Sequence, residues 1–439
     1  MERRIDKYLL SWKSSLNRKV LIIKGARQVG KTYSVRQFGK TFKHYVEVNF
    51  EEEKAIHSFF EGSLNPEDII KKLSIFYGVP IKTGETLLFF DEIQSCPNAI
   101  MSLRFFYEKN PDLHIIAAGS LLEFVLDKIP SHGVGRFNYL HQSPMTFDEF
   151  LVALGKDDLL DLLLQHDASN SINDIFHNKL LEYFKFYQII GGMPDVVKSY
   201  IENRDLLLCQ QILDELILSF KDDFAKYKKR ISVLRLQEVF QSVMLQAGSK
   251  FKYSNIDSTT SASTLKEALE LLVQAGLVYK IYHTSARGIP LGAQIKTNKF
   301  KVISFDIGIH QRMLGLNLSE HITASTFNQV NKGSLAEVYV GQQLIHLFSV
   351  HNPFPLFYWH REAKSSNAEV DYVIQNKELI IPIEVKAGTK GQMQSINLFM
   401  NERKSVKGIR VSMENFSRCG DIEVIPLYAI NKIIKGDVK

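Results

Sequence analysis

The stretch "KVLIIKGARQVGKT", residues 19–32, constrains the fold of this chain more than any other feature. An apolar β-branched run ends in "GARQVGKT", residues 25–32, which fits G-x-x-x-x-G-K-[ST] at every fixed position. Gly25 and Gly30 let the backbone turn tightly, so that the N–H groups of Ala26, Arg27, Gln28 and Val29 and of the helix start through Tyr33 face phosphate oxygens. Lys31 is placed to neutralise β/γ-phosphates, and Thr32 to offer a hydroxyl to Mg²⁺. A strand before the loop and a helix after it are what such a loop requires.

The complement comes sixty residues past Lys31, where "LLFFDE", residues 87–92, places two acids behind four apolar residues. Asp91 at the strand end is positioned to hold Mg²⁺, and Glu92 to polarise an attacking water as general base. Glu92 as a plain helix N-terminal acid is the alternative. Together the motifs point to ATP and Mg²⁺. The runs "VLIIKG", "HYVEVNF", "TLLFFDE" and "LHIIAAGS" read as strands of a parallel sheet covered on both faces, a P-loop NTPase α/β arrangement with a strand inserted between the two motifs. Ser120, at the tip of the last of these strands, either senses a γ-phosphate or caps the helix that follows. Arg136 is either an arginine finger, in cis or from a second subunit, or a surface residue.

At 439 residues the chain calls for roughly two to three domains of about 100–200 residues. Its 45% hydrophobic and 23% charged residues suit globular cores and exclude a disordered or fibrous chain. From about 140 to 230 the pattern is helical, broken by "GGMPD" at 191–195, which reads as a stop and a hinge. Residues 231–285 read as a winged-helix-like unit: an amphipathic helix, a Ser/Thr-capped helix and a strand. The boundaries read as 1–145, 146–230, 231–299 and 300–439.

Residues 224–301 hold 13 Lys/Arg against 4 Asp/Glu, a surplus of nine, so with a net charge of +6 the rest of the chain sums to minus three. That asymmetry suits DNA or another nucleic acid as partner, with Lys250, Lys252, Lys280 and Arg287 on phosphates; a solvated basic surface or a domain-joining role is the plainer alternative. Three cysteines without a C-x-x-C pair suggest neither a disulfide framework nor a thiolate metal site, and fit a cytoplasmic setting. No apolar run approaches the ~20 residues of a membrane span.

The C-terminal region carries a second constellation. In "AEVDYVIQNKELIIPIEVKAG", residues 368–388, strand alternation puts Glu384 and Lys386 on one face, as it does Glu369 and Asp371. With Glu337 on a helix from about 333 to 348, this is the acid set of a PD-(D/E)xK nuclease core: Asp371 and Glu384 for Mg²⁺, Lys386 to orient or deprotonate water. A charge pair holding a fold that no longer cuts is the alternative.

These stretches resemble one family. "GARQVGKT", "LLFFDEIQ", "IIAAGS", "GRFNYLHQSPMTFDEF", "YFKFYQIIGGMPDVV", "FDIGIH" and "GSLAEVYVGQQL" are similar to prokaryotic AAA-type ATP-binding proteins. In these the ATPase domain is followed by a domain of unknown function with a restriction-nuclease-like end. The resemblance spans about residues 19 to 390 and departs mildly at Met145, where the family shows leucine. It implies an ATPase module, a winged-helix-like linker and a nuclease-like terminus, and it places the second acid at Asp371 rather than Glu369. The expectation is a Mg²⁺-dependent ATPase whose nucleotide state controls a nuclease-like domain. The alternative is a nucleotide-dependent switch or DNA-binding regulator with an inactive docking domain, acting as a homo-oligomer or on a protein partner.

Overall fold

The structure is a computed structural model that describes residues 1–119, 135–227, 231–318, 332–348, 350–351, 356–361, 368–389 and 391–434. It comprises two compact units: one of Glu2–Ser143, which also takes in Val350 and His351, and one built from Pro144 onward.

The first unit contains α1 (Arg4–Ser14), β1 (Val20–Lys24), α2 (Lys31–Gly39), β2 (His44–Asn49), α3 (Pro66–Tyr77), β3 (Thr86–Asp91), α4 (Pro97–Lys109), β4 (His114–Ala118) and β5 (Phe137–His141). The strands form an all-parallel sheet in the order β2-β3-β4-β1-β5. Alternation divides each strand between two cores. Val20, Ile22, Val48 and Phe90 pack with Phe50, Phe60 and Phe106 on one face; Leu21, Ile23, Leu87 and Phe89 pack with Trp12 and Phe38 on the other. With both faces covered, the strands must be apolar throughout, which is why they stand out in the sequence. β4 lies between β1 and β3 in space, whereas β2, which separates them in sequence, sits at the edge. The strand β5 was not anticipated: "FNYLH" is too short and mixed to signal itself, and it pairs with β1 all the same.

The second unit opens with helices α5 (Phe147–Ala153), α6 (Asp157–Gln165), α7 (Asp174–Ile190), α8 (Pro194–Asn203), α9 (Leu206–Asp223), α10 (Val233–Gln246) and α11 (Ala262–Gln274). There follow β6 (Val278–Thr284), β7 (Ile295–Ser304), α12 (Ile307–Met313), α13 (Lys332–Phe348), β8 (Phe357–His360), β9 (Glu369–Asn376), β10 (Leu379–Val385), α14 (Gln394–Arg403), β11 (Gly408–Ser412), β12 (Ser417–Cys419) and β13 (Ile422–Pro426). The strands make one mixed sheet of order β12-β13-β11-β10-β9-β8-β6-β7. Within it the β8–β9 and β9–β10 pairs are antiparallel, whereas β8 runs parallel to β6 and β11 parallel to β10. β6, expected as the wing that ends a separate 231–285 unit, pairs with β7 in this sheet, and the boundary read at 299/300 falls inside β7.

The break at "GGMPD" is pinned, which corrects the hinge reading. Asp306 caps α12 by accepting the Ile309 N–H at 2.9 Å, and its other oxygen accepts the Gly192 N–H at 2.7 Å. Gly191 has φ 75°, and a Cβ on Gly308 would lie 2.4 Å from the Ile190 carbonyl oxygen. Glycine is required here because the end of α7 and the start of α12 touch backbone to backbone.

Candidate functional site

The loop between β1 and α2 is held from behind. A Cβ on Gly25 would meet the Gln142 carbonyl oxygen at 2.1 Å, and Gly25 and Gly30 have φ 140° and 92°. Gln28 takes φ 63°, a conformation costly for a non-glycine residue. Its neighbour Val29 presents a carbonyl that accepts from Arg3 Nη1 at 3.0 Å and from Gln142 Nε2 at 3.1 Å. Arg3 Nη2 also donates to the Ser143 carbonyl at 2.7 Å. Ala26 and Val29 are buried, Arg27 is half-buried and Tyr33 is exposed. Gly30 brings no capping side chain to α2, so the first N–H groups of that helix are left for an anion.

Lys31 reaches back across the loop, donating to the carbonyl oxygens of Ala26 at 2.7 Å and Gly25 at 3.0 Å. Burial pushes its pKa down to about 8, against the pull of Glu92 and Asp91. Thr32 Oγ1 donates to Asp91 Oδ2 at 2.8 Å, bringing together the two residues expected at Mg²⁺. Burial raises the Asp91 carboxyl to about 6, the Thr32 hydrogen bond opposing. Glu92 stands beside it at φ 47° with its carboxylate accepting from Gln94 Nε2 at 2.5 Å. A donor set of one hydroxyl and one carboxylate beside a lysine-lined loop fits Mg²⁺ bound to a nucleotide, an ion that keeps waters and takes one or two protein ligands.

Arg136 does not join this site. Register pairs Phe137 with Val20 and His141 with Lys24, so Arg136 is level with Lys19, at the opposite end of β1 from Gly25 and about 20 Å along the strand from it. There it donates to Glu108 at 2.8 Å. A finger role in cis is therefore corrected: a parallel partner strand delivers its first residue to the wrong edge of the sheet. Ser120 lies outside the described residues.

A family model described as an AAA domain matches residues 17–151. The N-terminal region is an AAA-type P-loop ATPase domain. Two further models, each described as a domain of unknown function (DUF8612 and DUF4143), match residues 181–320 and 332–430. No curated protein matches the chain. Among solved structures, the Walker-type ATPase PABY2304 of Pyrococcus abyssi is similar at 15% identity and TM-score 0.46, covering 71% of this chain and 95% of that one. The Aeropyrum pernix ORC1 protein in complex with DNA is similar at 12% identity and TM-score 0.27, covering 73% and 92%. At these scores neither likeness bears on function.

The second constellation gathers in the second unit. Glu337 projects from α13, and its carboxylate is 2.7 Å from Lys301 Nζ on β7; Glu369 of β9 is 2.6 Å from the same nitrogen. Asp371 Oδ2 accepts the Val385 N–H at 2.8 Å, and Glu384 Oε1 meets Lys386 Nζ at 2.6 Å. Burial raises Glu337 to about 8; burial raises the Asp371 carboxyl, with Glu369 adding to it against Lys301 and Lys386, and burial followed by repulsion from Asp371 raises Glu384. Burial would lower the Lys301 ammonium, yet Glu337, Asp371 and Glu369 together hold it above its ordinary value. Among the described residues no three His, Cys, Asp or Glu side chains converge as a metal site. Asp371 and Glu384 remain a two-carboxylate pair, and the Asp371-or-Glu369 ambiguity is divided by partner: Glu369 faces Lys301, Asp371 faces the Glu384 strand.

Sequence reasoning missed Arg3, Gln142, Gln94 and Lys301. Gln94 sat inside the quoted "LLFFDEIQ" and was recoverable by its position after the acids; the others have no local signal. Of the expected phosphate-contacting lysines, Lys280 is buried against Glu270, so it does not serve that role.

Proposed function

We propose that the chain is a Mg²⁺-dependent ATPase whose nucleotide state controls a restriction-nuclease-like second unit. The observation that carries the ATPase half is the Thr32–Asp91 hydrogen bond, which joins the phosphate loop to the acid strand across the sheet. Residues 25–32 hold the phosphates through backbone N–H groups, and Lys31 exchanges its carbonyl partners for phosphate oxygens. Thr32 and Asp91 hold the Mg²⁺, which when bound supplies charge neutralisation at the β- and γ-phosphates. Glu92, its carboxylate fixed by Gln94, accepts the proton of the attacking water.

The order α13, antiparallel β8–β9–β10, α14, and β11 parallel to β10 supports the nuclease-like reading of the second unit, with Asp371 and Glu384 as metal ligands and Lys386 orienting water. DNA or another nucleic acid is the partner this reading requires, with Lys250, Lys252 and Arg287 available to phosphates in a cytoplasmic protein. For Arg136, paired with Glu108, the readings that remain are a surface residue or, in trans, the finger of a neighbouring subunit in a homo-oligomer.

The test is to measure ATP turnover and cleavage of single- and double-stranded DNA and RNA together, with Mn²⁺ and with or without ATP. Turnover should fall at least a hundredfold in Lys31→Ala and in Glu92→Gln, about 2.7 kcal/mol or more of barrier. Cleavage should depend on ATP and vanish in Asp371→Ala. Normal turnover in Glu92→Gln removes the base assignment; turnover with no cleavage of any substrate removes the nuclease half and leaves a nucleotide switch.

A further inference from the structure

The acid centre of the second unit contains a lysine that the nuclease pattern does not include. Lys301 lies on β7, outside the stretch that carries Asp371, Glu384 and Lys386, and it is 1% exposed. Its ammonium touches two carboxylates at once, Glu337 at 2.7 Å and Glu369 at 2.6 Å. The face of the Tyr358 ring covers it at 5.3 Å. A cation so enclosed has no route to water without unpacking the sheet, and withdrawing it would leave Glu337 without its counter-charge.

The other half of the centre differs. Asp371 lies on β9 one residue before Tyr372, which pairs with Ile383, so Asp371 is across the ladder from Glu384. Glu384 is 6% exposed; its Oε1 is held by Lys386, while its Oε2 is buried with no hydrogen-bond partner among the described residues. A buried carboxylate oxygen without a partner is costly, and it marks where a ligand is missing. Four carboxylates (Glu337, Glu369, Asp371, Glu384) face two ammonium groups (Lys301, Lys386).

We propose that Lys301 is a fixed internal cation that takes Glu337 and Glu369 out of metal coordination, so that the centre accepts a single divalent ion, at Asp371 and Glu384. The inference rests on the nuclease-like reading of this unit. Lys301 acts as a positioning residue: it holds Glu337 and Glu369 by charge, and its own charge repels a second dication from the place it fills. Tethered to β7, it is present whether or not metal is.

Counting bound Mn²⁺ tests this, using the loss of the free-ion paramagnetic resonance signal in the nucleotide-free full chain. An Asp91→Asn background restricts the count to the second unit. One ion per chain is expected. The count should stay at one in Glu337→Gln and in Glu369→Gln, and fall to zero in Asp371→Asn and in Glu384→Gln. Lys301→Gln should have a lowered thermal midpoint that Mn²⁺ restores, as two freed carboxylates become ligands, and should bind two ions. Two ions in the Lys301-bearing chain, none, or a loss on Glu337→Gln each overturn the proposal. Should Lys301→Gln fail to fold, the Glu337, Glu369, Asp371 and Glu384 variants still decide it. DNA cleavage measured on the same samples separates the two readings: one bound ion without cleavage ends the nuclease reading and leaves the role of Lys301 standing.

Discussion

Glu92 occupies a backbone conformation that few non-glycine residues adopt, at φ 47°, and its carboxylate is steadied by the Gln94 amide 2.5 Å away. If Glu92 is the base, its aim matters more than its presence. Gln94→Leu should lower kcat about tenfold, the effect of losing about 1.5 kcal/mol from a hydrogen bond to a charged group, while ATP affinity stays within about twofold. Steady-state turnover beside a nucleotide-binding titration checks this, and an unchanged kcat would show that Glu92 needs no support. Arg3 makes the opposite prediction. It grips the back of the loop through the Val29 carbonyl, so Arg3→Ala should weaken ATP binding by roughly tenfold through a loosened loop, with a smaller effect on kcat. Neither residue matches a consensus position. Gln94 is two residues from the acid it serves, whereas Arg3 reaches Val29 from 26 residues away, which no window on the sequence connects.

Between elements, the junction of α7 with α12 is decided by backbone contact. A methyl group at Gly308 would collide with the Ile190 carbonyl at 2.4 Å, and backbone has little room to yield. Gly308→Ala should cost about 1–3 kcal/mol, read as a lowered urea midpoint with an unchanged slope. Asp306 at the same junction is fully enclosed, and burial raises its carboxyl to about 6 despite the N–H groups of Ile309 and Gly192. The folded chain therefore binds this proton more tightly than the unfolded one, whose value is near 3.8. Its contribution to stability is fully present below about pH 4 and is lost as pH rises through about 6. Thermal midpoints of the parent and Asp306→Asn across pH 4–7 should diverge in that window, with the parent losing up to about 3 kcal/mol relative to the variant. Parallel curves would place the Asp306 titration elsewhere. The sequence marked "GGMPD" and "FDIGIH" as special separately; that one carboxylate joins them is a property of packing.

Over the whole molecule, the first unit is an open parallel sheet with its own two cores and its own candidate ligand site, so ligand binding is linked to its stability. ATP with Mg²⁺ at a hundred times its Kd should stabilise that unit by about 2.7 kcal/mol, seen as a shifted unfolding transition that is absent in Lys31→Ala. What the sequence determined by itself was the phosphate loop, the acid-tipped strand and the buried strands around them. These rest on short-range causes: glycine torsions, alternation, and the uniform hydrophobicity of strands covered on both faces. The acid-bearing strands β9 and β10 were legible for the same reason. Only the tertiary structure decided that Arg136 stands at the far end of β5, that Lys280 is spent on Glu270, and that Lys301 sits among the carboxylates. Charge partners are chosen by register and by the crossing of distant segments, and a lysine in a basic stretch looks the same in sequence whether it meets solvent or a buried acid.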